Sequence, residues 1–248
     1  MTRWLLLRGL ARETAHWGGF PDLLHERTGD EVLCMDLPGC GERRGERSPA
    51  SVAAMACDVT SRLPRHDGPT VVLALSLGAM VAIEAARQAP GALAACVLVN
   101  TSAAGGARWH ERLLPANHAT VLRLAMPGLG ALAREARVLA MTSARPRMHE
   151  NLLPAWARIA GQRPVSAGNA ARQLWAAARF RAASRPRIPL LLLASRGDTL
   201  VSPGCSRRLA ADWSAPLREH PWAGHDLPLD DPQWVVDEAA TWWAGIPR

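Results

Sequence analysis

Six short runs, all but the last of them apolar, read as strands along the chain at Trp4–Leu7, Val32–Met35, Val71–Leu75, Cys96–Val99, Leu190–Ala194 and Leu217–His220. The middle ones carry no alternating polar face, so as strands they must be covered on both sides, which is the situation of strands in a parallel sheet. Parallel neighbours cannot be joined by tight turns. Helix-patterned stretches at Arg12–Thr28, Ser51–Leu63, Leu77–Gln88, Pro203–Trp213 and Gln233–Ala244 provide the right-handed crossovers. The expected class is therefore α/β, with a mostly parallel central sheet and helices on both faces.

The rhythm breaks once. From residue 103 to residue 186 the pattern is helical only, with amphipathic pieces at Glu111–Met126, Ala131–Met141, Leu152–Gly161 and Ala170–Ala183, punctuated by Gly105-Gly106, Pro127-Gly128 and Arg145-Pro146. That is too much chain for one crossover, and we read 103–186 as a helical cap inserted into a core made of 1–102 and 187–248. The other reading is a set of extra helices in an ordinary α/β domain. At 248 residues one sizeable core is sufficient.

A net charge of +7 raises nucleic acid as a partner. All 29 basic residues are arginine, however, and Tyr is absent while Trp occurs ten times, a pattern of general composition bias. The arginines are scattered. The densest group, Arg179, Arg181, Arg185 and Arg187, has no zinc-finger spacing and no aromatic RNA-binding signature, and no nucleic-acid role is expected. Five widely spaced cysteines without a CxxC pair fit free thiols in a reducing compartment. The run Trp4–Leu7 is too short for a signal-peptide core, and no stretch approaches a membrane span; a soluble, cytoplasmic protein is expected. Neither a GxGxxG fingerprint nor a phosphate loop is present, and the histidines lack metal-ligand spacing, so the expectation is no cofactor and no metal.

The segment Val71-Val72-Leu73-Ala74-Leu75-Ser76-Leu77-Gly78-Ala79-Met80 carries the chemistry. An apolar strand runs into Ser76 and leaves directly as a helix, so the serine stands on a tight turn with small residues two positions either side, the requirement of a nucleophile elbow. A helix-capping serine is the plainer alternative. Chain order favours the nucleophile, because Asp198 follows the strand Leu190–Ala194 and His225 follows the strand ending at His220. An acid and a base are thus placed on loops at the carboxyl ends of parallel strands. His220 is the rival base and Asp36 the rival acid; Asp226, Asp230 and Asp231 are too near His225 in sequence to oppose Ser76. His16, His25, His66, His110, His118 and His149 are expected to be solvated or capping.

These strings, with Asp36-Leu37-Pro38-Gly39-Cys40-Gly41 after the second strand, Gly197-Asp198 before Val201 and Pro203, and Ala223-Gly224-His225, resemble the α/β-hydrolase superfamily, most nearly small capped carboxylesterases such as the pimeloyl-carrier-protein methyl ester esterases. The resemblance covers nearly the whole chain. It implies a serine hydrolase that cleaves a carboxylic ester, thioester or lactone through a Ser76–His225–Asp198 triad and an acyl-enzyme. The backbone N–H groups of Leu10 and Leu77 would form the oxyanion hole. Two positions depart from the pattern: Ala74 where glycine is usual, and Arg8-Gly9 where the family carries His-Gly. Arg8 is expected to pair with a nearby carboxylate as structural support, contact with an anionic substrate group being the other reading. Leu113, Leu114, Leu122, Leu124, Met126, Met141, Leu152, Leu153, Trp156 and Trp175 in the cap are at helical spacing first of all ordinary core, and those that face the site favour an apolar acyl or alcohol group; an acyl carrier protein is a candidate partner. The alternative is a non-catalytic member of the fold that binds a small molecule or carrier protein.

Overall fold

A computed structural model describes residues 1–103, 107–126 and 128–247, Ala125 by its backbone alone. Its first half runs β1 (Arg3–Leu7), α1 (Phe20–Thr28), β2 (Glu31–Met35), α2 (Val52–Arg62), β3 (Thr70–Leu75), α3 (Leu77–Gln88) and β4 (Ala95–Val99). The helices α4 (Trp109–Arg112), α5 (His118–Ala125), α6 (Ala131–Thr142), α7 (Leu153–Gln162) and α8 (Ala167–Arg179) follow. The chain then returns through β5 (Leu190–Ser195), α9 (Pro203–Trp213), β6 (Leu217–His220), α10 (Leu227–Asp230) and α11 (Pro232–Ala244).

All six strands form one parallel sheet in the order β2-β1-β3-β4-β5-β6. The two-residue period of the strands divides the core in two. Leu5, Leu7, Val72, Ala74 and Leu98 face one way and pack with Met55 of α2, Ile83 of α3 and Leu209 of α9. Trp4, Leu6, Val71, Leu73 and Val97 face the other way, against Leu24 of α1 and Val235 and Trp243 of α11. Each buried Leu, Ile, Val or Met side chain among them contributes about 1.5–3 kcal/mol, which is why strands this short suffice.

The strand order turns back on itself at β1. The chain passes from β1 to β2 on one side and then to β3 on the other, leaving a crevice beyond the carboxyl ends of β1 and β3, where ligands bind in open α/β sheets. Arg8-Gly9 leaves β1 there and Ser76 leaves β3. Gly78 lets α3 start against that edge, since a Cβ at this position would stand 2.6 Å from both Leu7 O and Arg8 O. Backbone cannot yield as a side chain can. Gly78→Ala is therefore expected to destabilise the fold by about 1–3 kcal/mol, read as a lower urea midpoint at unchanged slope; an unchanged midpoint would contradict the packing. Ala74 is fully buried, its methyl accommodated in the core.

Several helix bounds differ from expectation. Arg12–Thr28 is not one helix: a 3-10 turn, Thr14–Trp17, ends at Gly18 with φ 54°, and α1 starts afresh with Pro21 in its first turn. Glu111–Met126 is split by Pro115, which has no N–H to continue a helix, into α4, a 3-10 turn and α5. The short α10 had no signal of its own. Gly105-Gly106 and Pro127 of the expected punctuation lie outside the described residues.

Candidate active site

Ser76 has φ 56° and ψ −114°, a left-handed conformation that costs a non-glycine residue of order 1–3 kcal/mol and persists only when its surroundings enforce it. They do so from three sides. Ser76 N–H donates to Val99 O (2.9 Å), and Ser76 O accepts from Thr101 Oγ1 (3.1 Å) and from Met80 N–H in the first turn of α3 (3.2 Å). The side chain is half-buried at the carboxyl edge of the sheet.

Asp198 lies on the loop after β5. Its Oδ1 accepts from the N–H groups of Leu200 (2.8 Å) and Val201 (2.9 Å), and its Oδ2 is 2.7 Å from His225 Nδ1. Both side chains are buried. This pairing fixes the imidazole and leaves Nε2 as its free nitrogen. Burial disfavours the charged ring, but the charges of Asp198 and then Asp226 outweigh it, so His225 titrates above the ordinary histidine value.

The end of β4 connects these parts. Asn100, at φ 43°, donates through Nδ2 to His225 O (2.8 Å), Gly224 O (3.2 Å) and Ser195 Oγ (2.9 Å), and accepts from Ser195 N–H (2.8 Å). Its neighbour Thr101 holds Ser76 O. Residues 100–101 thus tie the histidine loop, the end of β5 and the serine turn together. The sequence reading passed over Asn100. Its signal was an asparagine directly after a buried strand, one of the few residue types that tolerate this backbone.

The rivals are engaged elsewhere. His220 Nε2 is 3.1 Å from Asp231 Oδ2, its Nδ1 accepts from Ala223 N–H (2.9 Å), and its ring stands edge-on to Trp222 and Trp234. Asp36 accepts from Thr14 and Glu42 N–H, Asp230 from Gly224 and Ala144 N–H, and Asp231 from Trp234 N–H at the start of α11. Among the histidines expected to be solvated or capping, His16 departs from the first description: it is buried, with its ring accepting the Glu13 N–H.

Arg8 does pair with a carboxylate. Its Nη1 and Nη2 meet Asp226 Oδ1 and Oδ2 at 3.0 and 2.5 Å, both residues being buried, and its guanidinium lies 4.7 Å from the Trp17 ring centre. Burial opposes the Asp226 charge, yet Arg8 holds this carboxyl below its usual range. Arg8 therefore joins the loop after β1 to the residue following His225.

Gly9 lies against the serine, since a Cβ there would be 3.3 Å from Ser76 Cβ and 3.9 Å from Oγ. Leu10, next in the chain, is partly buried, whereas Leu77 opens α3, where a helix has no internal acceptor for its N–H. The following residue, Ala11, has φ 56°, and its N–H donates to Oε1 of Gln173 in α8 (2.8 Å). Gln173 is fully buried and also donates to Cys40 Sγ and Ser48 Oγ. No sequence signal marked it, because its contacts join segments far apart in the chain. Of the apolar residues between β4 and β5 expected to shape a pocket, Leu122, Met126 and Trp175 are exposed instead; Trp156 is buried.

Comparison with known proteins agrees with this architecture. A match at 38% identity over 99 residues, 38% of this chain and 35% of the relative, is to a pimeloyl-[acyl-carrier protein] methyl ester esterase of Methylococcus capsulatus; the matched segment thus spans about a third of that relative's length. Among solved structures, an enol-lactonase from Burkholderia xenovorans superposes with a TM-score of 0.77 at 18% identity, covering 98% of this chain and 91% of that one. A thermophilic esterase from Thermogutta terrifontis superposes with a TM-score of 0.69 at 22% identity, covering 98% and 90%. At such identities the likeness is one of fold. The model of the alpha/beta hydrolase family matches residues 5–238, and with the parallel sheet and the serine turn in place the chain belongs to the alpha/beta hydrolase family.

Proposed function

We propose that the protein is a serine hydrolase that cleaves a carboxylic ester, with Ser76 as nucleophile, His225 as general base and Asp198 as the acid that orients the base. The observation that carries this is the buried 2.7 Å contact between Asp198 and His225 on loops that Asn100 and Thr101 tie to the strained turn of Ser76. In this reading His225 Nε2 takes the Ser76 proton as Oγ attacks the acyl carbonyl, and the Leu10 and Leu77 N–H groups stabilise the oxyanion. The leaving alcohol takes the proton from His225, and water then hydrolyses the acyl-enzyme by the same route. Thioesters and lactones present the same carbonyl, and an acyl carrier protein, named in the partial relative, is a candidate bearer of the acyl group. We read 103–186 as a cap over a core of 1–102 and 187–248. No helix among the described residues is long and apolar enough to cross a membrane.

The test is covalent. A fluorophosphonate probe is expected to label Ser76, with hydrolysis of short p-nitrophenyl esters lost in parallel. An unlabelled protein would leave the non-catalytic binder, and a label on another serine would move the nucleophile away from Ser76.

The pH dependence follows from the charges facing His225, which are Asp198, Asp226 and Arg8. Only neutral imidazole accepts the serine proton, so kcat/KM should rise with pH through an apparent pKa above about 6.5. Asp226→Asn removes a charge that raises this value and should move the rising limb to lower pH. A limb that stays in place in the folded variant would contradict the coupling.

A further inference from the structure

We propose that the helices between β4 and β5 dock the protein on an anionic lipid bilayer through a surface of exposed arginine, tryptophan and aliphatic side chains. The proposal stands apart from the reading of Ser76.

The charge of the chain is unevenly divided. Residues 103–186 hold 13 arginines and three acids, Glu111, Glu135 and Glu150, a net +10, whereas the remaining residues hold 16 arginines and 19 acids, a net −3. Two of those three acids are taken by arginines from outside the segment, Glu111 by Arg208 at 2.6 Å and Glu135 by Arg12 at 2.5 Å. Arg163 is matched in turn by Glu13 and Glu42. Arg108, Arg137, Arg147, Arg158, Arg179 and Arg181 are exposed. The basic excess of the whole chain is thus a local field on one segment.

The same helices expose Trp109 (74%), Leu122 (66%), Trp175 (57%), Leu132 (55%) and Met126 (50%). These side chains belong to neighbouring elements. The Trp109 ring stacks on His118 at 6.1 Å, and His118, Leu122 and Met126 follow one another at four-residue steps along α5 and its C-cap. One turn after Trp109, Arg112 donates to Ala177 O (2.6 Å) and Ala178 O (2.7 Å), the turn of α8 that follows Trp175. Helix α5 packs on α8, and Arg134 of α6, two residues past Leu132, donates to Leu124 O of α5. Four helices therefore contribute to this surface. Ser202 N–H donates to Glu111 O (2.8 Å) and Leu114 N–H to Leu200 O (2.9 Å), which ties α4 to the loop after β5 at the carboxyl edge of the sheet.

The mixing of the two kinds of side chain identifies what covers them. A protein interface gathers its apolar residues in a centre depleted of charge, but here Arg108 directly precedes Trp109 and the Arg179 guanidinium lies 5.1 Å from the Trp175 ring centre. A second copy of this chain would set +10 against +10. Nucleic acid stacks on indoles and pairs with arginine, yet offers nothing to Leu122, Leu132 and Met126. An anionic bilayer meets every part of the surface: indole and aliphatic groups sink to the level of the headgroups, while the guanidinium groups reach the lipid phosphates.

Co-sedimentation with vesicles tests this, one set being phosphatidylcholine alone and the other phosphatidylcholine and phosphatidylglycerol in equal parts. The wild type should bind the mixed vesicles at least about tenfold more tightly than the neutral ones, and rising salt should weaken that binding. Trp109→Ser combined with Leu122→Ser and Trp175→Ser should lower the partition onto mixed vesicles by at least about tenfold at an unchanged melting temperature. Arg108→Gln combined with Arg179→Gln and Arg181→Gln keeps the apolar groups and should cut the preference for mixed over neutral vesicles by at least about fivefold; it decides the matter should the first variant fail to fold. Absence of binding to mixed vesicles, or binding that either folded variant retains in full, would overturn the proposal. Retention by an acidic protein or by RNA with the vesicles left unbound would give the surface to that partner and overturn it as well.

Discussion

Ser76→Ala is expected to lower kcat for p-nitrophenyl ester hydrolysis by about 10⁶-fold, to the level left by binding and the oxyanion donors. The size of the effect follows from the role, since no other group can form the acyl-enzyme once Oγ is gone. The fold should be indifferent. The bonds that hold the turn, from Ser76 N–H to Val99 O and from Thr101 Oγ1 and Met80 N–H to Ser76 O, are all made by the backbone of residue 76 and survive the substitution. Kinetics with thermal unfolding measured alongside check this. Retention of more than about a hundredth of the activity in a folded variant would mean that another residue attacks.

Asp198→Asn should cost about 10⁴-fold in kcat with little change in geometry. An asparagine can still accept from Leu200 and Val201 N–H through its carbonyl oxygen, and it then turns its NH₂ group toward His225 Nδ1. That forces the ring proton onto Nε2, the nitrogen that must receive the serine proton. His225→Ala should be at least as severe, whereas His220→Ala should act on stability, because its bonds reach Asp231 and the Ala223 backbone. A linked effect separates the variants. The folded pKa of His225 lies above its unfolded value, so its protonation contributes stability that is complete below about pH 6.5 and is lost as pH rises through the raised value. Asp198→Asn should flatten this part of the stability profile. Thermal unfolding on both sides of the histidine range tests it, and an inactive but folded His220→Ala would reopen the choice of base.

The strands, the serine turn and the order of Ser76, Asp198 and His225 were legible in the sequence because each is signalled by a contiguous string. Strands buried on both faces read as apolar runs, and the turn reads as a strand passing without a break into a helix with Gly78. What stayed hidden was long-range. Asn100 meets His225 across 125 residues of chain and Gln173 meets Ala11 across 162, and neither side chain sits in a motif. Arg8 was foreseen to take a carboxylate but could not be assigned to Asp226, since proximity to His225 in sequence does not tell which way the neighbour faces. The apolar residues between β4 and β5 misled in part, because helical periodicity states that a face is apolar and not what that face meets: Trp175 meets solvent, Trp156 meets Arg12 and His16.

The helices between β4 and β5 brace the loops of the sheet's carboxyl edge. Ala11 N–H, one residue beyond Leu10, is held by Gln173 of α8, and Asp226 N–H, one residue beyond His225, is held by Thr142 O at the end of α6. Moving α8 away would strip the acceptor from Ala11 N–H, where the backbone is bent at φ 56°, and moving α6 away would strip the acceptor from Asp226 N–H. A chain without these helices would thus have lost two of the struts that hold the loops after β1 and β6.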